Sequence, residues 1–173
     1  MRAYKPAVLA LVAFALGALP VGAQDARTVE ATPYVALGSA AASPVGALVT
    51  FPATSTLSVE TEVAYRRGEG GIHALSSSAS LVYFLPRVCQ VTPYVAAGIG
   101  LSQYGSPVFS ANGPSVGTES SVAPTVNAGG GLKVPINEKL DWRTDARLFK
   151  SLGRFGSEQF RVAQGISFDV GKR

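Results

Sequence analysis

The sequence contains one cysteine and one histidine in 173 residues, and both shortages exclude whole classes of chemistry. Because a disulfide needs two thiols, Cys89 has no partner within the chain, and a zinc site built from cysteines is excluded as well. His73 stands alone, so a metal site with several histidine ligands is excluded too. The sequence therefore predicts no metal site and no cofactor.

Charge is also scarce, and the basic residues form no run. Charged residues make up 15% of the chain, with 15 Lys and Arg against 11 Asp and Glu. Proteins that bind nucleic acid carry a basic patch or stripe for the phosphate backbone, and no run of Lys or Arg of that kind occurs here. We therefore predict no nucleic-acid partner.

Only one long apolar run is present, at residues 7–19, and it follows the basic residues Arg2 and Lys5. The small residues Val21-Gly22-Ala23 come next, as in the cleavage site of an export signal. The apolar run is shorter than the ~20 residues that a membrane-spanning helix needs. These features predict a cleaved signal peptide over residues 1–23, and the remaining residues 24–173 are enough for a single domain.

The rest of the sequence alternates with a period of two residues, the side-chain pattern of a β-strand. Most of the alternating segments reach the ~9–11 residues that a tilted transmembrane strand requires. Tight turns opened by proline alternate with longer connections, an asymmetry typical of outer-membrane barrels. There are eight such segments, at residues 30–39, 45–52, 56–67, 73–85, 91–103, 120–134, 139–150 and 158–170.

The charged residues of these segments fall on the face opposite the apolar one. In residues 139–150, for example, an acid or an arginine occupies every second position from Asp141 to Arg147. A balanced set of charges is what the filled interior of an eight-stranded barrel needs, since pairing offsets much of the cost of burial. We predict an all-β, eight-stranded antiparallel up-and-down transmembrane β-barrel, with its apolar face toward lipid. The predicted structural charge network of the lumen comprises Glu60, Glu62, Arg66, Lys133, Asp141, Arg143, Asp145, Arg147, Arg161 and Asp169.

A short motif supports a family resemblance. Thr-Pro-Tyr-Val-Ala occurs at 32–36 and again at 92–96, and residues 126–132 form a glycine-rich strand. The pattern resembles the OmpA/OmpX-like group of small eight-stranded outer-membrane β-barrels of Gram-negative bacteria. That resemblance implies a location in the outer membrane, contact with its lipid, and folding by the barrel-insertion machinery. Members of the group typically end on an aromatic residue, whereas residues 170–173 read Val-Gly-Lys-Arg.

The favoured function is a non-enzymatic barrel with a structural or adhesive role. The longest connection, residues 104–119, is rich in Ser, Gly, Pro and Asn, and is predicted to be a mobile surface loop that contacts an extracellular ligand. A small porin is an alternative that needs a continuous water path. A soluble lipocalin-like ligand-binding barrel is another, and it would turn the apolar face inward. A lipid-modifying enzyme would need a nucleophile and a base, but His73 and Ser76 fall on opposite strand faces. No catalytic residue is predicted.

Overall fold

The computed structural model describes residues 28–38, 43–68, 71–109, 115–152 and 157–170. The predicted signal peptide lies outside these ranges. All eight elements of this part of the chain are β-strands, and it contains no helix that is long and apolar enough to cross a membrane.

Each strand pairs antiparallel with the next, and the last pairs with the first, so that the sheet closes into a barrel. The fold is therefore the predicted all-β, eight-stranded antiparallel up-and-down barrel. Six of the eight strands match their predicted bounds to within one residue at either end. The strands are β1 (Glu30–Gly38), β2 (Val45–Pro52), β3 (Leu57–Arg67), β4 (His73–Phe84), β5 (Thr92–Phe109), β6 (Ser115–Pro135), β7 (Leu140–Ser151) and β8 (Glu158–Asp169).

The predicted asymmetry between tight turns and longer connections does not appear in the connection lengths. Five or six residues separate consecutive strands at one end of the barrel. At the other end, where β1 starts and β8 ends, the β2–β3, β4–β5 and β6–β7 connections have four, seven and four residues. We call this the turn end, and the opposite end the loop end. At the turn end the chain reverses between Val88 and Val91, where Cys89 adopts a positive φ of 56° and is exposed.

The prediction of a loop over residues 104–119 is wrong for residues 104–109 and 115–119, which continue β5 and β6, whereas residues 110–114 lie outside the described ranges. Their pairing extends to Phe109 and Ser115. The pairing of β4 with β5 ends at Gly105, and that of β6 with β7 begins at Thr125. Among the described residues, 106–109 and 115–119 therefore pair only with each other, and we call them the β5–β6 ribbon. Backbone hydrogen bonds between two antiparallel strands need no apolar alternation, which is why the pattern did not reveal them.

The seam between β1 and β8 closes around a proline. The register of the two strands skips Thr32 and Pro33, and Pro33 has no N–H to donate. Inside the barrel, the hydroxyls of Thr32 and Ser167 lie 2.7 Å apart and join the two strands there. A side-chain hydrogen bond thus stabilises the seam where the ladder is interrupted.

Apolar side chains cover the outside of the barrel and charged side chains fill its inside. Leu37 and Ile99 are 72% and 70% exposed, whereas Arg147 is 0% exposed and Arg143 only 2%. A soluble barrel would have the reverse arrangement. The soluble lipocalin-like alternative, which placed the apolar face inside, is therefore contradicted by the structure.

Candidate functional site

Six charged side chains occupy the middle of the barrel interior. They comprise three acids and three arginines, so their formal charges cancel. All lie at lumen-facing positions of the alternating pattern, on β3, β7 and β8. This central network consists of Glu60, Glu62, Arg143, Asp145, Arg147 and Arg161, and all six are buried.

Arg147 lies at the centre of these contacts and approaches all three acids. Its Nη2 is 2.5 Å from Glu60 Oε1, and its Nε is 2.8 Å from Asp145 Oδ1. Its Nη1 lies 3.9 Å from Glu62 Oε2. Since the three acids come from β3 and β7, the guanidinium of Arg147 connects opposite parts of the barrel wall.

The other two arginines complete the pairing. Arg143 Nη2 lies 2.6 Å from Glu60 Oε2, so the Glu60 carboxylate binds one arginine on each oxygen. Arg161 pairs with Glu62 and lies 3.8 Å from Asp145. Every member of the network thus lies within 4.0 Å of at least two oppositely charged groups. The second partner of Glu62 is Arg147, at the longer distance of 3.9 Å.

Two tyrosines, Tyr34 and Tyr94, belong to this network, although the predicted charge network included neither. Tyr94 Oη donates a hydrogen bond of 2.7 Å to Asp145 and accepts one of 2.8 Å from Arg143 Nε. Tyr34 Oη donates to Glu62 and accepts a hydrogen bond of 2.9 Å from Arg161. Each ring also lies beside an arginine, with Arg143 Cζ 4.5 Å from the Tyr94 centroid. Tyr34 and Tyr94 lie on the polar faces of β1 and β5, and this position is the signal in the sequence that could have placed them in the network.

Glycines on the lumen faces make room for these rings. A Cβ at Gly131 would lie 2.4 Å from Tyr94 Oη and 2.1 Å from the carbonyl oxygen of Thr144. A Cβ at Gly46 would lie 2.6 Å from Tyr34 Oη. The glycine-rich pattern of β6 therefore provides space for side chains that cross the lumen.

A second, smaller cluster lies toward the turn end and is separate from the central network. Lys133 Nζ is 2.6 Å from Glu30 Oε2 and 3.1 Å from Asp141 Oδ2, and Lys133 is buried. The structure thus brings the predicted residues Lys133 and Asp141 together. It adds Glu30, which the predicted charge network did not include.

Two predicted network residues do not join either cluster. Arg66 lies half-buried near the end of β3, and Asp169 lies exposed at the end of β8. Neither has an oppositely charged group within 4.0 Å in the described ranges. Both have the correct strand face, but they lie at strand ends, where the lumen opens to solvent.

His73 does not meet a serine in a catalytic arrangement. Its ring is exposed, and its Nδ1 lies 3.4 Å from the carbonyl oxygen of Gly71. Ser76 instead lines the interior, where its Oγ is 3.0 Å from Ser102 Oγ. The described residues thus contain no His73–Ser76 pair.

Solved structures that superpose on this barrel include several outer-membrane proteins. Neisserial surface protein A superposes with a TM-score of 0.63 at 13% identity, over 82% of this chain and 94% of that one. The chain has the fold of the small outer-membrane β-barrels. Ail, the attachment invasion locus protein of Yersinia pestis, gives a TM-score of 0.51 at 14% identity, over 82% and 97% of the two chains. The outer membrane enzyme PagL gives 0.51 at 18% identity, over 82% and 99%.

Sequence comparison adds no closer relative to this outer-membrane barrel fold. No family model matches the chain, and no curated protein matches it at a significant level. The structural neighbours are bacterial outer-membrane proteins, and the exposed apolar belt of this chain agrees with that location. Because one neighbour is an enzyme and another is named for attachment, the fold alone leaves the activity undecided.

Proposed function

We propose that this outer-membrane barrel is a closed, non-enzymatic protein that serves a structural and surface-binding role. The observation that carries the proposal is the neutral central network, which fills the barrel interior between its two ends. An eight-stranded barrel is about wide enough for side chains to fill it. Conduction would require the network to be disrupted.

Energetic arguments support a structural role for the network. A single charge buried in the lumen costs several kcal/mol, and only good geometry with additional hydrogen bonds offsets that cost. Glu60, Asp145 and Arg147 obtain such geometry from two or more partners each. Opening a water path would separate groups that stabilise each other, so the filled lumen favours the closed state.

The surface-binding part of the proposal rests on the loop end. The β5–β6 ribbon extends beyond the last residues that β5 pairs with β4 and that β6 pairs with β7. Both edges of the ribbon are therefore unpaired within the described ranges. Unpaired strand edges are templates for binding a partner's strand. Ail, with the same fold, is named for attachment. In this proposal the loop end faces the exterior, and the barrel-insertion machinery places the chain in outer-membrane lipid.

The closed lumen predicts a clear electrical result. We expect the refolded chain to produce no stable unitary openings in a planar lipid bilayer, because the central network leaves no continuous water path. Insertion is verified on the same sample by the change in gel mobility between unboiled and boiled protein. Reproducible unitary openings of one size would contradict the closed barrel and favour the small-porin alternative.

A further inference from the structure

Above the central network, the loop end of the barrel opens into a small cavity lined with hydroxyl groups. Its volume is about 60 Å³, and Glu62 and Arg161 lie among the residues of its wall. We call this cavity the cup. The lining residues on which its chemistry depends are Arg66, Ser76, Ser78, Ser102, Thr125 and Ser151.

Arg66 supplies the cup with a positive charge that no described acid neutralises. No carboxylate lies within 4.0 Å of it in the described ranges. The acid in the cup wall, Glu62, already binds Arg161 and the Tyr34 hydroxyl. Because the central network is neutral as a whole, Arg66 gives the described part of the cup a net positive charge.

The hydroxyls of the cup have hydrogen-bonding capacity to spare. Ser76 and Ser102 bind each other at 3.0 Å, and each hydroxyl can make a further hydrogen bond. Ser78 and Thr125 make no side-chain hydrogen bond with another described residue. Gly100 on β5 pairs with Ser78 on β4. A Cβ at Gly100 would lie 2.8 Å from Ser78 Cβ, so the glycine leaves room for the serine side chain.

We infer that the cup binds a tetrahedral oxyanion, a phosphate or sulfate group that is either free or carried by a saccharide. A guanidinium fork surrounded by hydroxyl donors matches the oxygens of such a group. By the measure that gives the cup about 60 Å³, one water needs ~10–15 Å³. The cup therefore has room for one tetrahedral anionic group.

This inference rests on the proposed surface-binding role, since it assigns a ligand class to the loop end. The conductance experiment tests the closed lumen separately, so each can fail without the other. A binding cup above a conducting lumen would contradict only the closed barrel. A closed lumen beneath a cup that binds no anion would contradict only the inference.

The test is isothermal titration of the full, detergent-folded barrel at constant ionic strength with inorganic phosphate, inorganic sulfate and glucose 6-phosphate, with glucose as the neutral comparison. Arg66→Gln should weaken anion binding about tenfold or more, because it removes a charged donor. Arg67→Gln is the matched control. Arg67 is the next residue of β3 and is exposed on the outer face, so its replacement should leave binding unchanged. Unboiled and boiled gels verify that each variant is folded.

A second variant keeps the test decisive if Arg66→Gln fails to fold. Ser78→Ala removes one hydroxyl without changing charge, and we expect binding to weaken several-fold. Binding of inorganic phosphate or sulfate alone supports a site for the free ion, and binding of glucose 6-phosphate as well supports a saccharide-borne group. Absence of binding by the wild type, equal weakening by Arg67→Gln, or equally tight binding of glucose would overturn the inference.

Discussion

Replacing Arg147 by methionine lowers the free energy of unfolding of the barrel by about 3–5 kcal/mol, the range for breaking a buried ion pair. Arg147 is fully buried and contacts all three acids of the central network. Methionine retains much of the apolar stem but leaves three carboxylates facing two arginines. The variant therefore keeps most of the packing and loses the balance of charge.

Lys150→Met provides the control on the same strand. Lys150 pairs with Glu158 at 3.0 Å, but both side chains are more than half exposed. Exposed pairs contribute about 0–1 kcal/mol, so this variant should unfold almost as the wild type does. Urea titration in detergent micelles, followed by the fluorescence of Trp142, measures both variants. Equal losses of stability would show that burial of the network does not matter and would contradict its structural role.

Replacing Gly131 by alanine is the second large effect, and we expect it to destabilise the barrel by about 3 kcal/mol, at the upper end of the usual range for overpacking. The new Cβ would lie 2.1 Å from the carbonyl oxygen of Thr144 and 2.4 Å from Tyr94 Oη. The first obstacle is backbone, which cannot rotate away. The second is a ring that Arg143 and Asp145 hold in place.

Gly68→Ala is the matched control for this substitution. Its nearest neighbours would be the carbonyl oxygen and Cβ of Ile72, at 3.6 and 3.8 Å, which are ordinary contacts. The free energy of unfolding should change little. The same urea titration compares the two variants, and a Gly131→Ala barrel as stable as the Gly68→Ala barrel would mean that Tyr94 does not need the space at Gly131.

The period of two residues predicts the eight strands and which side chains share a face, because neighbouring side chains of a strand must point to opposite sides. It does not predict how far β5 and β6 extend. It did not reveal which charges pair. Arg66 and Arg147 both lie on lumen faces, yet only Arg147 is deep enough to meet the acids. Depth along the barrel depends on the stagger between strands, which one sequence does not specify. For the same reason, Glu30 was missed although it pairs with Lys133.

Tyr94 and the β5–β6 ribbon illustrate two other limits of the pattern. The sequence alone does not show that Tyr94 joins the charge network. That role depends on Gly131, its partner on the neighbouring strand β6, which leaves space for the ring. The ribbon lies in a sequence rich in Ser, Gly and Pro, which resembles a loop by composition. Its strands are defined by the pairing of β5 with β6, which composition does not record.

The most direct test of the account is to separate the membranes of cells that express the chain and to run the outer-membrane fraction unboiled and boiled on a denaturing gel. A barrel with its apolar face in lipid and its charges inside should appear in that fraction and change mobility on boiling. A protein that remains soluble in the periplasm without detergent and shows no mobility change would contradict the account, because its charged face would then be its surface.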